Sequence, residues 1–447
     1  MYTRQSRNSN QKFKSPKKLV GKNFHSKRVN REDDKQEQTK RIPVQKVFTF
    51  DDLKNQLKAW SENENIPGKF QAWFTQDCKP ENADWRFIQK IVGGHETLVI
   101  DPPAKDMDAP DIVKRLDEQL HKEHLHLLRK AIRQIWLRST GNGKFALIIQ
   151  ANCHGRNSAH GYKTFVDFVS RTCPEIVSCH QIQCTPDHPF NPSSKISMRV
   201  DCKTNFGSEY LPIADTGFCM HVLDWAPRIK EAWISLPMRI KEAIHPAKGD
   251  KFFDFYSSSS YIGASLASYF DKVESMDCRE TAMQSSRYNA NVLADQNLKF
   301  HRASLDASTL AKFFSKAEND GRWTFYFNLP DNETLPSGVE QAIAQSRPER
   351  ILLQTSDLEI AAKEIRRFRS EDYVLRKSIP LYLEPGSGRF ELLMLFVPDR
   401  AGLLSQNSAL KNKSRNVQRP RERIVDPNRS NIANFTMDRP TFKQRKG

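Results

Sequence analysis

The sequence predicts an α/β protein: an open, mostly parallel, Rossmann-like sheet in the second half, preceded by a small α+β domain and flanked by basic disordered tails. Three observations predict it. From Ala226 to residue 397, segments of strand and helix character alternate, the pattern of crossover connections over a parallel sheet. Asp254-Phe255-Tyr256-Ser257-Ser258-Ser259-Ser260-Tyr261-Ile262-Gly263 reads as strand, tight loop and helix start, and about twenty residues on, Lys272 to Asp277 forms a second strand ending on an acid, the layout of a nucleotide-cofactor site. Charge is segregated. Residues 1–41 hold 13 Lys/Arg and 4 Asp/Glu, residues 406–447 hold 11 and 3, and the stretch 42–405 is balanced at 46 of each.

Residues 1–45 are polar, basic and poor in apolar side chains, which predicts a disordered tail. Order begins near Val47, with Asp51 or Asp52 capping a helix through Leu53, Leu57 and Trp60. Short strands are predicted at Phe70–Thr75, Trp85–Ile91 and Thr97–Ile100. A helical stripe spans Asp111–Leu128. Strands at Ala131–Leu137 and Phe145–Gln150 are joined by Thr140-Gly141-Asn142-Gly143, a hairpin turn by composition. A second helix starts at Phe165, and a further strand covers Ile176–Ile182. A helix over 227–244 then opens the alternating half. Its strands are 251–256, 272–277, 298–302, 322–327 and 350–354, and its helices 262–270, 279–293, 306–317, 337–346 and 357–369. Two closing strands, 373–383 and 389–397, have no helix between them and should pair antiparallel at the sheet edge. The predicted division is tail 1–45, α+β domain 46–215, Rossmann-like domain 216–400 and tail 401–447.

Eight cysteines scattered without a small-domain framework indicate a reduced compartment. The basic, polar N-terminus lacks the apolar segment of a secretory signal, and no stretch approaches twenty apolar residues, so a cytoplasmic protein without membrane spans is expected. Two basic tails, 1–41 and 406–447, suit a polyanion, and nucleic acid is the commonest partner of that kind.

Seven strands ending in a hairpin are the arrangement of class I S-adenosylmethionine-dependent methyltransferases, and the motifs resemble one family among them. Asp254 to Ala267 lies without a gap on the motif Asp-Leu-Tyr-Cys-Gly-x-Gly-x-Phe-x-x-x-Leu-Ala of the RNA (uracil-5-)-methyltransferases. Asn289-Ala290-Asn291 and Pro385–Glu391, followed by the apolar Leu392–Phe396, are also similar to that family. The resemblance covers 215–397 and, more faintly, 68–214. The resemblance implies S-adenosylmethionine as cofactor, with Asp254, Tyr256, Ser258, Ser260 and Asp277 in its loop and ribose positions, and transfer or ribosomal RNA as substrate. It also assigns Glu391 as the general base that removes the C5 proton and places Ser356 where the family has its nucleophilic cysteine.

The departures fall on the chemistry. A cysteine offers a usable fraction of thiolate at neutral pH, whereas a serine without a base offers almost no alkoxide. The family's Asp-Pro loop reads Leu329-Pro330-Asp331 here, and Met220 aligns with a family glutamine. Both loop glycines are Ser258 and Ser260, where a positive φ would cost about a kcal/mol or more and a Cβ would crowd the ligand. The expectation is a degenerate, RNA-binding member of the family; the alternatives are an active methyltransferase using Glu391, and a scaffold for a protein partner. Cys173, Cys179, His180, Cys184 and His188 match no standard zinc spacing, so no metal site is expected. Only Cys78 stands near the position of the family's iron–sulfur cysteines, so no such cluster is expected. The run His121–His126 reads as a solvated face.

Overall fold

The structure, a computed structural model, describes residues 50–66, 79–104, 107–153, 155–183, 190–192, 200–293, 297–316, 322–384 and 389–399. Both basic tails and the strand expected at Phe70–Thr75 lie outside them.

Helix α1 (Phe50–Asn63) buries Leu53 and Leu57. It is followed by the hairpin β1 (Trp85–Val92) and β2 (His95–Asp101). The stripe expected as one helix over 111–128 is broken into α2 (Asp111–Leu120), a single 3-10 turn at Glu123–Leu125, and α3 (His126–Ala131). The apolar spacing explains the break. Ile112, Leu116 and Leu120 recur every four residues, but the next buried side chain is Leu125, five away, and the chain restarts there. The histidines at 121, 124 and 126 are exposed. Strands β3 (Ile132–Ser139) and β4 (Phe145–Ala151) pair across the expected turn. Helix α4 (Arg156–Thr172) starts well before Phe165. Its first turns are small and polar because they pass close to α3, where a Cβ on Gly161 would lie 3.3 Å from the Leu128 Cβ. The right-handed crossover through α4 sets β5 (Ile176–Gln183) parallel to β4. Strand β6 (Asp201–Phe206) closes a six-stranded sheet of order β2-β1-β3-β4-β5-β6. The short hairpin β7 (Tyr210–Pro212) and β8 (Cys219–His221) follows.

In the second half, helix α5 (Lys230–Ile244) precedes β9 (Asp250–Phe255), α6 (Tyr261–Leu266), β10 (Lys272–Asp277), α7 (Glu280–Val292) and β11 (Leu298–Arg302). Then come α8 (Ala307–Lys316), β12 (Arg322–Asn328), α9 (Val339–Ser346), β13 (Arg350–Thr355), α10 (Leu358–Ser370), β14 (Tyr373–Glu384) and β15 (Arg389–Pro398). The seven strands are ordered β11-β10-β9-β12-β13-β15-β14. All neighbours run parallel except β15, which is antiparallel to β13 and β14. Both faces are covered, so the central strands are nearly all apolar. Phe252, Tyr326 and Leu352 join the core with α5 and α6, whereas Phe253, Phe255, Phe325 and Leu353 join the core on the other face.

A buried charge cluster ties the halves at the start of α5. Asp84 accepts from Lys230 Nζ at 2.8 Å and from the Ser139 N–H at 2.7 Å, and Arg138 lies 3.6 Å away. Strand order reverses between β9 and β12, so the crevice at the carboxyl ends of these strands is where a ligand site belongs. Among the described residues no helix is long and apolar enough to cross a membrane.

Candidate cofactor crevice and substrate-side residues

The loop after β9 alternates hand. Tyr256, Ser258 and Ser260 stand at φ of +55°, +52° and +57°. Each left-handed residue with a side chain costs roughly 1–2 kcal/mol. The loop is held in this shape from outside. The Ser257 N–H donates to Met276 O at 3.1 Å, and Asn289 Nδ2 donates to Ser259 O at 2.8 Å. Three of the four hydroxyls are engaged as well: Ser260 Oγ lies 2.6 Å from Ser286 Oγ on α7, Ser257 Oγ lies 3.2 Å from Ser260 Oγ, and Ser258 Oγ donates to Trp225 O at 3.3 Å, whereas Ser259 Oγ has no hydrogen-bond partner. All four serines, 257 to 260, are buried.

Asp254 lies beneath this loop. Its Oδ2 accepts the Gly263 N–H at 3.1 Å, and its Oδ1 has no hydrogen-bond partner. Burial pushes this carboxyl up to about 8; the Gly263 N–H opposes the rise and Asp277 adds to it. Asp254 is therefore largely protonated at neutral pH. Gly263 is required by close approach, because a Cβ there would lie 2.9 Å from Ser275 Oγ and 3.3 Å from Asp254 Oδ2.

Asp277, at the end of β10, is buried and fully engaged. Oδ1 accepts from the Arg279 N–H at 3.0 Å and Arg279 Nε at 2.9 Å; Oδ2 accepts from Arg279 Nη2 at 2.7 Å and the Ser258 N–H at 2.9 Å. Burial alone would raise its pKa, but the Arg279 charge and these donors outweigh burial and hold it below the ordinary carboxylate value.

Ser356 is half-buried just beyond the end of β13. The last registered pair is Thr355 opposite Leu392, and one step further in this antiparallel register Ser356 and Glu391 of β15 are the facing positions. Glu391 accepts a hydrogen bond from Gln354 Nε2, and Gln354 Oε1 accepts from the Tyr326 hydroxyl at 2.7 Å. Asp357, beside Ser356, caps α10 by accepting the Glu359 N–H at 2.7 Å and the Ile360 N–H at 3.2 Å.

No protein-family model matches the chain. Over 149 residues it is 28% identical to an uncharacterized RNA methyltransferase, YljE, of Lactococcus lactis; the match takes in 33% of this chain and 31% of that protein. The chain thus spans about a third of the length of the curated relative it matches. Among solved structures it is similar to the tRNA (uracil-54, C5)-methyltransferase of Pyrococcus abyssi, determined in complex with S-adenosyl-L-homocysteine. The TM-score is 0.55 at 15% identity, covering 77% of this chain and 82% of that one. The chain has the fold of that methyltransferase.

Within that methyltransferase fold, Asp254, Tyr256, Ser258, Ser260 and Asp277 gather at the ends of β9 and β10, while Ser356, just past β13, and Glu391, on the neighbouring β15, stand on the other side of the strand-order reversal. Leu329 is buried where the family's loop acid would stand, and its N–H donates to Gln354 O at 3.0 Å. Asp331 lies two residues further on, half-buried. Met220 is a packing residue, buried on β8 with its sulfur 3.9 Å from Arg138 Nη2. Cys173 and Cys179 belong to the apolar core beside Phe165 and Val169; Cys184, His188 and Cys78 lie outside the described residues. Sequence reasoning missed Arg279, Ser286 and Gln354. Only Arg279 left a usable signal, a guanidinium two residues after a strand-ending acid at a helix start.

Proposed function

We propose that the chain is an RNA-binding protein that keeps the RNA methyltransferase fold while its own side chains take up the cofactor crevice. The observation that carries this reading is the bond set of Asp277. An acid that holds a ribose must offer free acceptor positions to the hydroxyls, whereas here a half-buried guanidinium and two backbone N–H groups take both oxygens. The serine hydroxyls support it, since they fill the space that glycines would leave and are bonded to α7 and to Trp225. The residues as they stand do not fit S-adenosylmethionine. RNA as the partner is supported by the two basic tails and by the RNA methyltransferase names of the similar proteins.

One observation favours an active enzyme. Glu391 is oriented by Gln354 and Tyr326, a polar line that a purely structural sheet would not need. The two readings separate by experiment. Binding of the full chain to total cellular RNA is measured against salt, together with methyl incorporation from labelled S-adenosylmethionine. The proposed reading predicts a steep fall of affinity with salt, a shallower slope once 1–41 and 406–447 are removed, and no methyl transfer. An unchanged slope in the trimmed protein contradicts tail-driven RNA binding and favours a protein partner. Methyl incorporation that Glu391→Gln abolishes replaces the proposal with the active reading.

A further inference from the structure

Away from the crevice, the edge of the six-stranded sheet gathers a second set of chemically capable side chains. We propose that His180 Nε2, Cys202 Sγ and a Glu209 carboxylate oxygen bind a zinc-class divalent metal ion. One ring nitrogen of His180, Cys202 Sγ and one Glu209 carboxylate oxygen lie within 4.8 Å of one another. His180 on β5 is fully buried. Its Nδ1 lies 3.1 Å from Thr204 Oγ1, and that hydroxyl donates to Glu209 Oε1 at 2.6 Å. With its only proton given to Glu209, Thr204 accepts from the ring, so Nδ1 carries the imidazole proton and Nε2 presents a lone pair. That nitrogen is buried and has no partner at ordinary hydrogen-bond geometry, and the Ser208 backbone lies beside the ring. A buried acceptor left unmade needs an explanation, and a metal ion supplies it.

The fold delivers the other two ligands. β6 runs antiparallel to β5 with Thr204 opposite His180 and Cys202 opposite Ile182, which puts Thr204 and Cys202 on one face of the strand. Glu209 returns through a turn at Gly207, at φ +76°, that lies flat against β5; a Cβ there would sit 2.2 Å from Val177 O. His221 on β8 orients Glu209 from outside. Its Nδ1 accepts the Leu223 N–H at 3.1 Å, so its Nε2 carries the proton, 3.5 Å from Glu209 Oε2. A histidine whose second nitrogen is bonded to an oxygen, and a carboxylate held in turn by its neighbours, are the outer contacts of a metal centre.

One nitrogen, one sulfur and one oxygen ligand suit zinc, with a fourth position open to water; a thiolate disfavours calcium and magnesium. On binding, the Cys202 thiol releases its proton to solvent as the sulfur–metal bond forms. The ion would clamp β5 and β6 to the β7–β8 hairpin. That hairpin is docked on α7 through Tyr210 Oη to Gln284 Oε1 at 2.6 Å and the His221 N–H to Ser285 Oγ at 2.9 Å.

The test is a cobalt titration of the full-length, metal-free protein, followed by visible and near-ultraviolet absorption, with circular dichroism to verify folding. The expected result is one ion per chain with a thiolate-to-cobalt charge-transfer band. Cys202→Ser should abolish the band, and Thr204→Val, which keeps all three ligands, should weaken binding about 10- to 100-fold. No cobalt spectrum in the folded wild type at excess metal would overturn the proposal. A spectrum unchanged in Cys202→Ser, or cobalt affinity unchanged in Thr204→Val, would do so equally.

Discussion

Replacing Arg279 by glutamine tests how firmly Asp277 is engaged. The substitution removes the Nε and Nη2 donors at 2.9 and 2.7 Å and leaves the carboxylate, whose side chain is 4% exposed, with two backbone N–H groups. Breaking a buried ion pair by removing one partner costs about 3–5 kcal/mol, a large part of the 5–15 kcal/mol that holds an ordinary domain together. The pH dependence follows from the direction of the Asp277 shift. In the wild type the carboxyl is held below its ordinary value, so its contribution to stability is present above about pH 4 and is lost as pH falls through the folded-state pKa. Without the guanidinium, burial is the dominant influence on Asp277 and its pKa rises. The gap between wild type and variant is therefore widest near pH 7 and narrows toward pH 3. Urea unfolding followed by tryptophan fluorescence at several pH values measures it, with Arg279→Lys as a control that keeps the charge. A loss below about 1 kcal/mol at pH 7 with an unchanged pH profile, the size of an exposed pair, would refute the reasoning.

Three further outcomes are expected. Asp254, with its carboxyl pushed up to about 8, contributes stability that is full below about pH 4 and is lost as pH rises through 8; Asp254→Asn should gain on the wild type by roughly 1 kcal/mol per pH unit between pH 5 and 8, read from urea midpoints. Gly263→Ala should cost about 1–3 kcal/mol by overpacking against Ser275 Oγ, and Ser275→Ala in the same chain should recover part of it, a coupling that a double-mutant cycle reads directly. Gln354→Leu should cost about 1–3 kcal/mol, since it leaves the buried Tyr326 hydroxyl without its acceptor; a double cycle with Tyr326→Phe should show the two losses to be non-additive.

The parallel sheet was legible in the sequence because both of its faces are covered. Runs such as Phe325–Phe327 and Ile351–Leu353 are apolar throughout, and helices with apolar stripes separate the strands. The strands observed there match the expected ones to within one residue at every end. The first half was less legible. Strands β6 to β8 are short or half-exposed and carry little alternation, and α4 opens on small polar residues whose reason is the close passage of α3. The site divides in the same way. The positions of Asp254, the serine loop and Asp277 follow from local spacing. What the serines do does not, because their partners Trp225 and Ser286 lie 33 and 26 residues away in the chain and meet them only in the fold. His180 shows the converse: spacing grouped it with nearby cysteines, but Cys179 belongs to the apolar core, and β6 brings Cys202 to it instead.

The central claim is that the crevice is taken up by the chain's own side chains, and calorimetric titration with S-adenosylhomocysteine tests it most directly. Wild-type protein should give no binding heat at millimolar ligand, while Ser258→Gly/Ser260→Gly/Arg279→Gln, which reopens the loop and frees Asp277, should bind measurably. Micromolar binding by the wild type, from protein verified as folded, would contradict the account.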